Sequence, residues 1–273
     1  MKIKDHFLSR EIFEIKETET KGVFKTSPIP SNISRYYESE DYISHHQDSG
    51  SLKEKLYKFL QSFNLQYKKT ILLDRIPKGS KVLDYGCGAG EFVKYIEKDF
   101  QTFGFEPDAD ARNAAQGKIS KAKILSDLNL IEDRSLDAIT LWHVFEHVEN
   151  QDEMLEIFNR KLKEKGLLII AVPNPTSYDA IHYREYWAAY DVPRHVYHFS
   201  KKGMENLISK KPNWKLRKIK PLVLDSYYIS MLSEKYKKSS LFWLKAVIYG
   251  TISNVKAVFS NEFSSLIYII EKR

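Results

Sequence analysis

Three glycines in five residues, Gly86, Gly88 and Gly90, stand between a short apolar run, Lys81 to Tyr85, and a helical pattern carried by Phe92, Val93 and Ile96. A strand that breaks on such a turn and continues as a helix opens a strand–helix–strand unit. Glycines there let the backbone turn tightly and bring its N–H groups close to a ligand. The spacing is G-x-G-x-G, with Asp84 two residues before the first glycine. Pyrophosphate binders use G-x-G-x-x-G and keep the helix N-terminus clear for an anion. A carboxylate beside that point repels phosphate and favours a ligand bearing positive charge.

The alternation continues downstream. Thr102 to Glu106 reads as a second strand, Asp108 to Gln116 as a helix, and Lys123 to Leu125 as a weak third strand. Leu136 to Trp142 reads as a fourth strand. Gln151 to Lys163 is an amphipathic helix with Met154, Leu155, Phe158 and Leu162 on one face, closed by Gly166. Leu167 to Val172 is a nearly unbroken apolar fifth strand, as a central strand should be. This order predicts an α/β fold: a doubly wound, Rossmann-like seven-stranded sheet with helices on both faces. Before it, Leu52, Leu56, Phe59, Leu60 and Phe63 mark a helix running to Leu73.

Flanking segments read differently. Residues 1–50 form an N-terminal arm or lid, with a short strand at Val23 to Thr26 and an aromatic stretch holding Tyr36, Tyr37, Tyr42, His45 and His46. Residues 51–273 form one domain: a ligand-binding core at about 75–172, a long irregular loop at 173–200, and a C-terminal part at 201–273. That last part holds helices at Lys201 to Ser209, Tyr227 to Lys237 and Leu241 to Phe259, then a closing strand, Phe263 to Lys272.

Composition narrows the setting. The only cysteine, Cys87, excludes an internal disulfide and a multi-cysteine zinc site. It reads as a small residue chosen for fit. Met1 to Arg10 lacks the apolar core of a signal peptide, and the expected location is cytoplasmic. Lys245 and Lys256 interrupt the apolar stretch Leu241 to Phe259, so it reads as a helix with a broad apolar face and no transmembrane segment is expected. Of the net charge of +7, residues 201–273 carry 15 basic and 5 acidic side chains, while the rest is slightly acidic. That basic quarter reads first as a solvated surface, and in the sharper reading as a face for an anionic substrate, a membrane surface or, last, nucleic acid. No nucleic-acid motif accompanies it, so nucleic acid is not an expected partner.

Glu106 ends the second strand, where a carboxylate accepts from ribose hydroxyls, and Asp127 follows the third, within reach of an adenine amino group. With these in place, VLDYGCGAGEF, GFEPD, DAITLWHVFEHV and GLLIIAVPNP resemble the class I S-adenosylmethionine-dependent methyltransferases over about residues 75–210. The resemblance implies S-adenosylmethionine as cofactor. It places Asp84, Gly86, Cys87, Gly88, Gly90 and His143 around the methionine end, Glu106 and Pro107 at the ribose, and Asp127 and Leu128 at the adenine. Pro173-Asn174-Pro175 followed by W-x(6)-R-H-x-Y-H-F-S is similar to small-molecule and sugar methyltransferases of glycan and natural-product pathways. That implies a small acceptor, a sugar or nucleotide-sugar, methylated on O, N or C.

His143, His147 and His195 are the candidate bases, and Trp187, Arg194, Tyr197 and Tyr42 the candidate acceptor contacts. His143-Val144-Phe145-Glu146-His147 is also similar to the E-x-x-E-H of ubiquinone-pathway O-methyltransferases, where a metal is held. Here the first acid is a histidine, and the expected assignment is no metal. Two other readings stay open: a non-catalytic S-adenosylmethionine-binding protein, and an NAD-dependent oxidoreductase, against which the glycine spacing speaks.

Overall fold

In the computed structural model, which describes residues 1–37 and 52–273 (backbone alone for 52–57), the chain opens with three strands. They are β1 (Lys2–Lys4), β2 (Ile12–Glu17) and β3 (Val23–Ser27). The helix α1 (Leu52–Leu73) leads into β4 (Lys81–Tyr85), α2 (Glu91–Ile96), β5 (Gln101–Phe105), α3 (Ala109–Lys118) and β6 (Lys123–Leu125). Next come β7 (Leu136–Trp142), α4 (Gln151–Lys161) and β8 (Leu162–Pro173). The last third holds α5 (Tyr178–Tyr183), β9 (Tyr197–Phe199), α6 (Lys201–Ser209), β10 (Trp214–Pro221), α7 (Asp225–Tyr236), α8 (Phe242–Ser260) and β11 (Ser265–Lys272).

Seven strands form the main sheet in the order β10-β11-β8-β7-β4-β5-β6. The strands from β8 to β6 run parallel, and β11 and β10 add antiparallel at one side. Leu168, Ile169, Ile170, Ala171 and Val172 are buried on both faces of β8, which explains its unbroken apolar run. The order reverses at β4, flanked by β5 on one side and β7 on the other. Ligands bind outside the carboxyl ends of strands at such a switch point.

The second sheet has the order β1-β2-β3-β9 and is antiparallel throughout. Along β2, Phe13 and Ile15 face inward while Ile12 stays exposed, the period-two pattern of a sheet with one wet face. Ile3, Phe13, Ile15 and Tyr36 pack with Tyr183, Trp187, Tyr190 and Val192 into a separate apolar cluster. The N-terminal segment therefore shares a core with the segment after β8.

Three expectations need correction. Gly166 does not close α4, which ends at Lys161 and passes straight into β8. Gly166 sits instead in a bulge, where the pairing of β7 with β8 jumps from Leu136–Leu162 to Ala138–Leu167 and Lys165 takes a φ of 62°. A Cβ there would lie 2.9 Å from the Lys163 carbonyl oxygen. Residues 173–200 are not irregular: Ser177 caps α5 through the Ala180 amide, two short 3-10 turns follow, and β9 pairs with β3. Finally, β10 was not expected. Its lysine-rich sequence hides an edge strand, where charge on the open side discourages further pairing.

Candidate functional site

The glycine turn closes β4 with two bonds, from the Gly86 and Cys87 amides to the Phe105 carbonyl of β5. All three glycines are left-handed, at φ 71°, 52° and 77°. Two of them are also needed for close packing. A Cβ on Gly86 would meet Val144 at 2.6 Å, and one on Gly90 would meet Ala115 at 2.8 Å. Gly88 differs: among the described residues nothing lies within 4 Å of its Cβ position, which leaves room there for a ligand to approach.

Glu106 braces that crest. Its Oε2 accepts the Gly88 amide at 2.8 Å and its Oε1 the Asp108 amide at 3.0 Å. Each oxygen keeps a further acceptor site for a hydroxyl. Asp84 is buried and accepts the Thr140 hydroxyl at 2.7 Å. Burial lifts its carboxyl to about 7, with Glu106 adding to the rise and Thr140 and Lys68 opposing it. Cys87 is buried, and desolvation, then Asp84 and Glu106, push its thiol up to about 12, which removes it as a nucleophile. Pro107 and Asp127 are exposed beyond β5 and β6. The Asp127 carboxylate caps its own turn through the Asn129 amide at 2.9 Å, and Leu128 packs half-buried on the main core. An open glycine crest, a braced carboxylate and a second, buried carboxylate at the same sheet edge fit a cationic nucleoside ligand such as S-adenosylmethionine.

A second group assembles after β7. His143 holds a left-handed φ of 59°, a conformation that costs energy outside glycine. Its Nε2 lies 2.8 Å from Asp225 Oδ2, and its Nδ1 lies 3.4 Å from Glu146 Oε1. Burial disfavours the imidazolium, yet Asp225 and Glu146 outweigh it and raise the ring to about 10. His143 is therefore held as a proton-bearing ring between two carboxylates, which weighs against the role of base expected from the sequence. Glu146 is fully buried, and among the described residues neither of its oxygens accepts a hydrogen bond of good geometry. Burial pushes its carboxyl up, but His143 and then His195 bring it below the usual value.

His147 and His195 converge on the same carboxylate. The Nδ1 of His147 lies 2.9 Å from the Arg194 carbonyl oxygen, and the Nδ1 of His195 lies 2.9 Å from that of Ala189. A carbonyl only accepts, so both rings donate from Nδ1, and His195, when neutral, presents a bare Nε2. His195 Nε2 is 3.9 Å from Glu146 Oε1. Burial, then His147, depress His195 to about 4, so it stays neutral. Ligand atoms of Glu146, His147 and His195 all lie within 4.8 Å of one another, and the trio has the donor types to hold a proton or a divalent cation.

The candidate acceptor contacts fare less well. Arg194 is 2% exposed and spends its fork internally. Its Nε donates to Asp191 Oδ2 at 3.0 Å, its Nη2 to Asp191 Oδ1, and its Nη1 to the Tyr36 carbonyl at 2.8 Å. It also lies over the Phe7 ring and 3.5 Å from the buried Asp5. It is a structural tie between the N-terminal sheet and the segment after β8. Trp187 is buried, with its indole N–H on Asp179 at 2.7 Å. Tyr197 stands on β9, its ring stacked on Phe199 and its hydroxyl on the Glu149 carbonyl at 3.4 Å. Tyr42, with His45 and His46, lies outside the described residues.

Two residues joined the site without a sequence signal. Asp225, in the first turn of α7, holds His143. Lys68, on α1, lies over the Trp142 ring at 4.6 Å. Burial lowers its ammonium, against pulls from Asp225 and Asp84. Both come from elements outside the strand–helix alternation, and only the packing of α1 and α7 brings them to the sheet edge.

Known proteins share this architecture. A family described as a methyltransferase domain matches residues 56–217. An uncharacterized protein of Methanocaldococcus jannaschii is 27% identical over 144 residues, covering 49% of this chain and 56% of that protein. An uncharacterized methyltransferase of Geobacillus kaustophilus is 28% identical over 100 residues, covering 34% and 46%. The chain thus spans about half the length of the curated relatives it matches. Among solved structures, a Haloferax volcanii methyltransferase in complex with the Trm112 activator superposes with a TM-score of 0.54 at 16% identity, covering 79% of this chain and 92% of that one. Phosphoethanolamine N-methyltransferase 2 of Haemonchus contortus, solved with S-adenosylmethionine, gives 0.50 at 15%, covering 76% and 52%. At these identities the structural likeness speaks to the fold.

Proposed function

Because the chain belongs to the methyltransferase-domain family, we propose that it transfers a methyl group from S-adenosylmethionine to an oxygen, nitrogen or carbon of a small acceptor. The observation that carries this reading is the braced, open crest at Gly88, held by a carboxylate that keeps acceptor capacity for a ribose. Asp84, Gly86, Gly88, Gly90 and Glu106 would hold the cofactor, with Asp127 and Leu128 at its far end. When bound, the cofactor supplies a methyl group already activated on a sulfonium, so the protein's task is alignment and exclusion of water.

The proton, where the acceptor has one to lose, goes to His195 Nε2. The ring is neutral, its tautomer is fixed by Ala189, and Glu146, 3.9 Å from the same Nε2, stabilises the imidazolium that forms. His143 and Asp225 position Glu146 from the other side. This arrangement needs no metal. A protonated His143 already faces the Glu146 charge at 3.4 Å and repels a divalent cation.

A sugar or nucleotide-sugar acceptor is the finer reading. It rests on the likeness of Pro173-Asn174-Pro175 and the later Arg194-His195 motif to sugar methyltransferases, together with the basic last quarter of the chain. Calorimetry against S-adenosylmethionine, S-adenosylhomocysteine and NAD tests the cofactor assignment. Binding of the first two and not the third is expected. Tight NAD binding with no binding of the other two overturns it.

A further inference from the structure

We propose that α8 lies on an anionic lipid surface, with its outward apolar stripe set into the headgroup boundary. The helix is packed inside out. Its buried face is made of Ala246, Gly250, Ser253 and Ala257, small residues that repeat at four- and three-residue spacing. They let it sit tightly on α7: a Cβ on Gly250 would lie 2.7 Å from the Tyr227 ring. The large side chains point the other way. Trp243, Val247, Val255 and Val258 are more than half exposed, and Phe259 is 84% exposed. A helix folded only against its own protein does the reverse. An exposed apolar stripe of this kind calls for a partner that is not water.

Charge selects the partner. From 235 to 261 the chain holds five lysines, Lys235, Lys237, Lys238, Lys245 and Lys256, and no acidic residue. Lys235, Lys237 and Lys256 lie over the Phe242, Tyr183 and Tyr178 rings, and Lys245 donates to the Ser239 hydroxyl. Apolar residues that include Trp and Phe, rimmed by lysines, match the composition of helices lying flat on anionic bilayers. A second copy of this chain would bring the same lysines against one another. Nucleic acid would use the lysines and leave the apolar stripe in water. Among the described residues no helix is long and apolar enough to cross a membrane, so α8 rests on the surface.

Flotation of the full chain with vesicles tests this without cofactor or acceptor, so its failure is distinct from failure of the methyl-transfer reading. One set is phosphatidylcholine alone, and the other is one part phosphatidylglycerol to two parts phosphatidylcholine. Binding about tenfold or more stronger to the anionic set is expected, falling as salt is raised. Of the four tryptophans Trp243 is the exposed one, and its emission should shift to the blue on binding. Val255→Glu combined with Val258→Glu should abolish flotation while leaving the thermal melt unchanged, since both side chains face solvent. Equal binding to neutral vesicles, no binding to anionic ones, or flotation that survives the double substitution overturns the proposal. So does a solution dimer that the double substitution dissociates, which would assign the stripe to a second copy.

Discussion

The Gly88 amide donates to Glu106 across 2.8 Å, and the other Glu106 oxygen holds the Asp108 amide, so one carboxylate fixes both the glycine crest and the start of α3. Glu106→Ala removes that brace and the ribose acceptor together. Loss of a hydrogen-bonded charge is worth about 1.5–3 kcal/mol. Calorimetry should show S-adenosylmethionine and S-adenosylhomocysteine weakened by that amount, with both affected alike. Unchanged affinity in a folded variant would remove Glu106 from the cofactor site.

Arg194, expected at the acceptor site, has its guanidinium tied into the scaffold. Its guanidinium neutralises Asp191 and faces Asp5, and both carboxylates would be left unbalanced in Arg194→Ala. Removing one partner of a buried ion pair costs about 3–5 kcal/mol. Urea melts should show a loss of that order. Arg194→Lys should recover little of it, because an ammonium cannot reach Asp191 with two parallel bonds and the Tyr36 carbonyl at once. A wild-type melt with a raised acceptor KM would instead return Arg194 to substrate binding.

The strand–helix core was legible because its signals are local. The apolar run of β8, the glycines after β4 and the periodicity of α4 each declare themselves within a dozen residues. Glu106 was legible for the same reason, since its place at the end of β5 follows from the strand alone. The rest depended on pairing across the chain. β9 is three residues long and exists because β3 lies beside it 170-odd positions earlier in sequence. Whether Arg194 or His195 turned toward the site could not be read from their adjacency. The decision was made by Asp5 and Tyr36, in a segment with no motif. Asp225 reached His143 by the packing of α7, which carries no spacing rule to read.

Asp84 makes cofactor binding sensitive to pH. Its carboxyl is lifted to about 7, chiefly by burial, so near neutrality a large share is protonated. A cationic ligand favours the ionised form and drives the proton off. Affinity for S-adenosylmethionine should therefore fall as pH drops below 7, by up to about tenfold per pH unit for a single coupled proton. Calorimetry in buffers of differing ionisation enthalpy should detect proton release at pH 7. Asp84→Asn should bind more weakly and lose that dependence. A pH-independent affinity from 5.5 to 8.5 in the wild type would show that Asp84 does not meet the ligand's charge.

His195 carries the chemical step in this reading, with Glu146 beside its Nε2 and His143 already holding a proton. His195→Ala should lower kcat by about 10²–10⁴-fold where the acceptor must lose a proton, the usual worth of a positioned base. Cofactor affinity should change little, since the ring lies on the β7 side of the sheet edge and not on the glycine crest. His143→Ala should act differently: the unbalanced Asp225 and Glu146 should lower the melting temperature as well as the rate. Chelation separates the proton from a metal at the same three side chains. EDTA treatment followed by steady-state kinetics should leave the wild-type rate intact. Activity lost to EDTA and restored by magnesium or zinc would assign Glu146, His147 and His195 as metal ligands and end the general-base account.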